Sequence, residues 1–359
     1  MTEAKQALAD RGGSTLADEQ KAARERVRET ERRRAYARAG EPGRGRTANR
    51  PAEIPWPGWK DILKRTWQEL GADNLGLVSA GVAFYWMLAL FPAMAALISL
   101  YGLVADPADV QRQMEAVAFL MPIDVTQVIK EQLIAVVQAA PTGLSLGVLV
   151  SLAITIYSAT KGTTAIIQAV NIAYEEEDRP GIIRNLLLAL ALTLAGIFVF
   201  LIALGLIVLL PFVLQAIFLD FAVEWLVLIV RWVLLAGLIF VLLMGIYRIA
   251  PNRRPPKLKW LVPGAAIATF LWIVGSLLFA WYVQAFGSYN KTYGSIGAVI
   301  VTLLWLWVSA YIVLLGAELN SEIEHQTSCD STVGHGQRPL GERGAFMADS
   351  VGKSWSEKD

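Results

Sequence analysis

The sequence predicts an all-α polytopic membrane protein with six transmembrane helices. Three observations carry that reading. The chain is 55% hydrophobic and only 18% charged over 359 residues. Six apolar segments, near residues 75–104, 143–173, 185–211, 222–247, 261–286 and 295–320, are each on the scale of the ~20 residues that cross a hydrocarbon core. The connections between them alternate between rich and poor in Lys and Arg.

Residues 1–54 precede the apolar segments. The first 50 hold 13 Lys/Arg against 8 Asp/Glu. The run "EQKAARERVRETERRRAYARAG" has no apolar face to bury, although Glu29 and Arg33 stand at i,i+4. The expectation is a mobile, disordered, basic cytoplasmic tail. Anionic lipid headgroups are the partners such a tail would find.

Residues 55–74 contain "WPGWKDILKRTWQEL". At helical spacing Trp59, Ile62, Leu63, Trp67 and Leu70 share one face. Lys60, Asp61, Lys64, Arg65 and Glu69 take the other. This predicts a helix lying in the membrane interface, apolar side toward lipid.

The first span carries Pro92, which predicts a kink. Its Gly76/Ala80 and Ser79/Ala83 pairs allow close helix approach. Residues 105–142 predict two short amphipathic helices in the first outer loop, one on each side of Pro122.

The second span holds a polar stripe. Tyr157, Lys161, Thr164, Gln168 and Asn171 step by 4, 3, 4 and 3, so they fall on one helical face. Polar groups against lipid are costly, so the stripe is expected to face the bundle interior. A lysine near a helix centre costs roughly 2.5–3.5 kcal/mol on the insertion scale. An anionic partner, a hydrated cavity or snorkelling must offset that. Two readings stay open for Lys161: a structural pairing, or contact with a substrate path.

Arg231 has only six residues between it and Glu224, and is expected near the outer interface. Tyr289 and Tyr293 suit the same boundary. The sixth span runs without charge until Glu318, with Asn320 two residues on. Glu318 is either a paired carboxylate or a proton or cation site, and it is the first expected partner for Lys161. Residues 326–359 read as a polar cytoplasmic tail. It holds the single cysteine, Cys329, so no intrachain disulfide can form.

No catalytic constellation is legible. The two histidines, His325 and His335, lie at or beyond the last span, and no HExxH, H-x-E or CxxC spacing occurs. There is no Walker-type loop. The expectation is a non-enzyme with no metal or other cofactor and no nucleic-acid partner. The acidic "YEEEDRP", Tyr174 to Pro180, reads as a solvated connection.

Three stretches carry a resemblance: "GVAFYWMLALFPAMAALISLYG", "YRIAPNRRPPKLKWLVPGAAIATFLW" and "FGSYNKTYGSIGAVIVTLLWLWVSAYIVLLGAELNSEIE". They resemble the YihY/BrkB family of bacterial inner-membrane proteins over about residues 58–325. The resemblance implies a six-span inner-membrane protein with no settled activity. An older ribonuclease label in that family conflicts with the chemistry here, because metal-dependent nucleases need clustered ligands. Two functions remain. One is a transporter or a lipid or solute flippase without its own ATPase. In that reading Tyr157, Lys161, Thr164, Gln168, Asn171, Glu318 and Asn320 are substrate-path candidates. The other is a structural or envelope-assembly protein in which the stripe packs helices.

The charge alternation yields a topology. Reporter fusions near residues 50, 178, 254 and 340 are expected to report the cytoplasmic side, and fusions near 120, 217 and 290 the outer side. An outer signal at 254 would overturn the scheme, since Arg248, Arg253, Arg254, Lys257 and Lys259 make that connection the most basic between spans.

Overall fold

The computed structural model describes residues 29–30, 33–104, 146–178, 181–217, 222–285, 289–334 and 336–355. The two amphipathic helices expected within 105–142 lie outside the described residues, as does His335. After a short 3₁₀ turn at Pro51–Glu53 the helices run in order. They are α1 (Trp56–Ala72), α2 (Leu75–Val104), α3 (Leu146–Ala173), α4 (Ile182–Ile217), α5 (Ala222–Ile249), α6 (Leu258–Ala285), α7 (Tyr289–His325) and the short α8 (Phe346–Asp349).

The chain is an all-α polytopic membrane protein. Among the described residues four helices are long and apolar enough to cross a bilayer, and the bent pair α1–α2 raises the number to five. Between 6% and 28% of each of the four apolar windows is buried. Leu187, Phe198, Phe270 and Trp281 are all exposed. So much outward apolar surface needs lipid to cover it.

The long helices close a ring in the order α2, α3, α4, α5, α6, α7, and α7 touches α2 again. α7 also packs on α1 and α3, which makes it the hub of the bundle. Small residues set the closest approaches. A Cβ on Gly264 of α6 would run into Gly316 O and the Asn320 side chain of α7. A Cβ on Gly316 would in turn meet Ala268 and the Tyr247 hydroxyl. That hydroxyl donates to Val313 O at 2.7 Å, tying α5 to α7. Gly162 admits the Trp86 ring between α3 and α2, and Thr163 meets Thr193 at 2.7 Å between α3 and α4.

Pro263 lies inside α6 and lacks the N–H of a normal helical residue. Asn320 braces the backbone there. Its Oδ1 accepts from Gly264 N at 2.8 Å and its Nδ2 donates to Leu261 O at 3.1 Å. The helix backbone of α2 continues through position 92.

Between α1 and α2 the path bends by 62°. Asn74 makes the turn with φ of 50°, a left-handed conformation that Asn tolerates. The bend is the one expected of an interfacial helix entering a span. The faces of α1 differ from expectation, however. Trp56, Leu63 and Trp67 are exposed as a lipid-facing stripe would be, but Ile62 is buried and so are Asp61 and Arg65. Those two had been assigned to the water side. Asp61 accepts both of its ion-pair bonds from Arg44 at 2.8 Å and a further bond from Trp355 N. Arg65 donates to Glu322, to Gln326 Oε1 at 2.9 Å and to Lys353 O at 2.8 Å.

The tails also differ from expectation. From Ala35 to Ile54 the chain packs against residues 326–355 rather than standing free. Arg46 is buried and donates to Gln326 O, Gly352 O and Glu41. Ser328 N donates to Arg46 O at 2.7 Å. Arg254 N reaches Gly344 O, and Lys257 N reaches Ser331 O, both at 2.8 Å. These contacts gather both terminal segments and two interhelix connections at one end of the bundle. An Arg-rich segment can bury itself when carbonyls at chain ends accept its fork of donors.

At that end α3 finishes in a Schellman-type turn. Glu175 N bonds Ile172 O, Glu176 N bonds Asn171 O, and Glu175 takes φ of 51°. The turn aims Glu176 at α8, where it accepts from Phe346 N at 2.8 Å. The acidic loop is therefore a tether, not only a solvated connection. Beside it Arg253 pairs with Glu324 at 2.6 and 3.1 Å, and Ser331 donates to the same carboxylate at 2.7 Å. The guanidinium also lies 4.1 Å from the centroid of the Tyr174 ring. Burial works against the Arg253 charge, but Glu324 holds the guanidinium more firmly protonated than usual.

Two outcomes follow from this end of the molecule. Arg253→Met strands a fully buried Glu324, and the expected loss is about 3–5 kcal/mol. Adding Glu324→Gln should restore much of it. Thermal unfolding in detergent, followed by tryptophan fluorescence, reads both changes.

The second outcome concerns pH. Burial pushes Glu176 up to about 7 from an ordinary value of 4.5. A raised carboxyl favours the packed state while protonated, so its contribution is full below the unfolded value and fades as pH climbs through about 7. Loosening of the α8 segment between about pH 5 and pH 8 is the expected result, with Glu176→Gln flat over the same range. A spin label at exposed Glu342, in a Cys329→Ser background, measures it. Equal pH response in both proteins would refute the role of Glu176.

Candidate functional site

The expected stripe exists on α3, but it points the other way. Tyr157 is 61% exposed, and Lys161 and Gln168 are exposed too. The interior-facing expectation is therefore corrected for these three. Helix geometry gives the reason. At 3.6 residues per turn, Tyr157, Lys161, Gln168 and exposed Ile172 fall within about 60° of arc. Gly162, Ile166, Ala169 and Ala173 take the packed arc, and among them Gly162 receives the α2 tryptophan. Small and branched residues claim the interior before the polar ones can.

Thr164 and Asn171 lie on the trailing edge of the stripe and turn inward. Thr164 is half-buried and returns its hydroxyl to Thr160 O at 2.8 Å. Asn171 is buried and serves as a joint. Its Nδ2 donates to Asp178 at 2.9 Å, while its Oδ1 accepts from Asn252 N at 2.9 Å. Asn252 in turn donates to Glu177 O. Asn171 thus ties the acidic loop to the Pro-Asn connection and is committed to structure.

Lys161 has no carboxylate within ion-pair reach among the described residues. Its ammonium lies 5.2 Å from the centroid of the Tyr157 ring, one turn earlier. A cation over an exposed aromatic face gains about 0.5–1 kcal/mol, less than the cost of an ammonium deep in a bilayer. The site is thus electrostatically unfinished. Arg231 is half-exposed.

Glu318 is not the partner of Lys161. It is 1% exposed on α7, and its Oε2 has no hydrogen-bond partner. The charged groups that act on it most strongly are Glu322, Asp73, Glu69 and Glu175, all acidic. Asn320, two residues on, is buried and fully used in bracing α6. The candidates therefore separate into an exposed stripe (Tyr157, Lys161, Gln168), a structural set (Thr164, Asn171, Asn320) and a lone buried carboxylate.

Among the described residues no group of three His, Cys, Asp or Glu side chains could hold a metal ion. Sequence reasoning missed the buried arginines. Arg65 and Arg253 sit in polar runs and look solvated. The signal available was the spacing of Glu322 and Glu324 beyond Asn320, three polar groups too close to an apolar span to go unpaired.

The chain matches the profile described as virulence factor BrkB over residues 66–339. It is 32% identical over 254 residues to a putative ribonuclease-like protein, YfkH, of Bacillus subtilis, covering 68% of this chain and 88% of that one. It is 36% identical over 95 residues to a UPF0761 membrane protein of Pasteurella multocida, covering 26% of this chain and 29% of the relative. A UPF0761 membrane protein of Haemophilus influenzae is 37% identical over 79 residues, again 29% of its length. No solved structure matches. The matched region takes in α2 through α7, both buried arginine–glutamate pairs except Arg65, and the whole polar stripe. On that extent, the chain belongs to the BrkB family of membrane proteins.

Proposed function

We propose that the protein translocates lipids or solutes bearing an anionic head across the bacterial inner membrane, without an ATPase of its own. The observation that carries this reading is the exposed ammonium of Lys161, flanked by Tyr157 and Gln168, on a helix of the membrane bundle. A polar stripe turned outward suits a headgroup that travels along the protein surface with its tails in lipid. An enclosed solute cavity would need those groups turned inward. Lys161 supplies the positive charge, the Tyr157 hydroxyl and Gln168 amide supply neutral hydrogen bonds, and no residue of the stripe has to do covalent chemistry.

The basic connections support a cytoplasmic position for the gathered end of the bundle and the terminal segments. The exposed Arg33, Arg34 and Arg50 and the exposed Trp56–Lys60–Leu63–Trp67 edge of α1 then meet anionic headgroups at that surface. The competing reading is a structural membrane protein. The tight brace of Asn171 and Asn320 favours it for the cytoplasmic end, but it leaves Lys161 without a role.

The test uses liposomes with fluorescent anionic and zwitterionic lipids in one leaflet. The native protein is expected to move the anionic lipids, and Lys161→Met to lose most of that rate while staying folded and inserted. Lys161→Arg should retain it. Equal rates for native and Lys161→Met proteins would refute the assignment.

A further inference from the structure

We infer that Glu318 is a proton-binding site, protonated in the packed bundle and emptied to water when α1 leaves α7. This goes beyond the translocation reading and does not depend on it.

Position comes first. Glu318 stands on α7, the helix that touches α1, α2, α3 and α6. Its side chain is 1% exposed and one carboxyl oxygen has no donor. An ionised carboxylate is an acceptor only, so it needs donors or a cation on both oxygens. A protonated one carries its own donor and loses far less on leaving water.

Among the described residues the charged groups acting most strongly on Glu318 include no cation. On its own helix Glu322 is committed to Arg65 and Glu324 to Arg253. From α1 the groups acting on Glu318 are Asp73 and Glu69, both acidic. Arg65, the cation that α1 sends toward α7, is spent on Glu322, Gln326 and backbone carbonyls. α2 carries no Asp, Glu, Lys or Arg at all. From the α3 end come Glu175 and the buried Tyr174 hydroxyl, which Asn320 also faces. On α6 Lys259 is exposed. A single enclosed carboxylate with an unpartnered oxygen is suited to a proton, which needs no further ligand.

The step is a simple association: a proton from water joins a Glu318 oxygen and the negative charge disappears. Its loss restores a charge facing Glu322, Asp73 and Glu69. That repulsion acts across the α1–α7 contact and pushes α1 away, which lets water reach the carboxylate. The site is therefore a proton-operated latch on the interfacial helix.

Two measurements decide it. Infrared spectra of reconstituted protein, with isotope-labelled glutamate to separate Glu318 from Asp73, should show the carbonyl stretch of a protonated carboxylic acid at about pH 7, where an ordinary glutamate is ionised. Glu176 contributes to the same band near pH 7, so the Glu318 share is the part lost in Glu318→Gln and kept in Glu176→Gln. Thermal unfolding should be equal for native and Glu318→Gln proteins at about pH 7, with the native protein falling behind as pH rises. Lack of a protonated glutamate band in the native protein would overturn the assignment, and this readout needs no variant. A native protein that matches Glu318→Gln at every alkaline pH would also overturn it. Neither result touches the lipid assay, so this inference and the translocation reading can fail separately.

Discussion

A carboxylate that enters an apolar bundle must find a donor, a cation or a proton, and α7 brings in three within two turns. Glu318, Glu322 and Glu324 all belong to its inner end and are each almost wholly buried. Most of the architecture at that end is the answer to this one demand. Glu322 draws Arg65 and with it α1, which explains why a helix of interfacial composition turns a charged face inward. Glu324 draws Arg253 and with it the connection between α5 and α6. Asn320, between them, fixes the start of α6 beside Pro263. One helix end thus sets the positions of α1, α6 and the α5–α6 loop. Removing a partner costs more than the pair ever contributes, because the stranded charge has no water to return to.

The same logic extends outward to the terminal segments. Each arginine has more donors than one carboxylate can accept, and the surplus goes to backbone carbonyls. Arg65 reaches Lys353 O, Arg46 reaches Gln326 O and Gly352 O, and Arg343 reaches Ser328 O at 2.6 Å and Ala348 O at 2.6 Å. Chain ends are rich in unpaired carbonyls, so they suit arginine forks. The result is a polar cap woven from residues 35–55 and 326–355. The cap has apolar contacts as well: Ala35, Leu340 and Val351 form a small cluster, and Ala48 and Ile54 pack on Ile62, Trp260 and Ile323. Hydrogen bonds to charged groups work there alongside apolar burial.

The helices were legible because hydrophobic run length reports a bilayer crossing almost directly. Five of the six expected spans begin within a few residues of a helix start, and a helix fills most of the stretch read as interfacial. The partners of the charges were not legible. Arg65 and Glu322 are 257 residues apart in sequence, and Arg253 and Glu324 are 71 apart. Nothing local distinguishes an arginine that will be buried from one that will be solvated, so Asp61 and Arg65 read as a water-facing edge. The stripe on α3 shows a second kind of limit. Spacing correctly put Tyr157, Lys161 and Gln168 on one face, but periodicity gives no azimuth. Polarity alone pointed inward. Close packing of Gly162 and Thr163 against α2 and α4 turned the face outward.

Lys161 and Glu318 then stand as opposite solutions to the same problem. Each is an ionisable group carried by a bundle helix, and among the described residues neither makes an ion pair. The lysine stays exposed, where the three donors of its ammonium can find acceptors. The glutamate is enclosed among acids, where discarding its charge requires only a proton from water. Had they faced each other, a single internal ion pair would have silenced both. Their separation leaves an open cation at the surface and a neutralisable acid inside. An anionic headgroup suits the first and a proton suits the second. Because the two sites lie on different helices, one exposed and one buried, an event at one need not occupy the other, and any coupling between them passes through helix packing, directly from α3 to α7 or by way of α2, rather than through shared ligands.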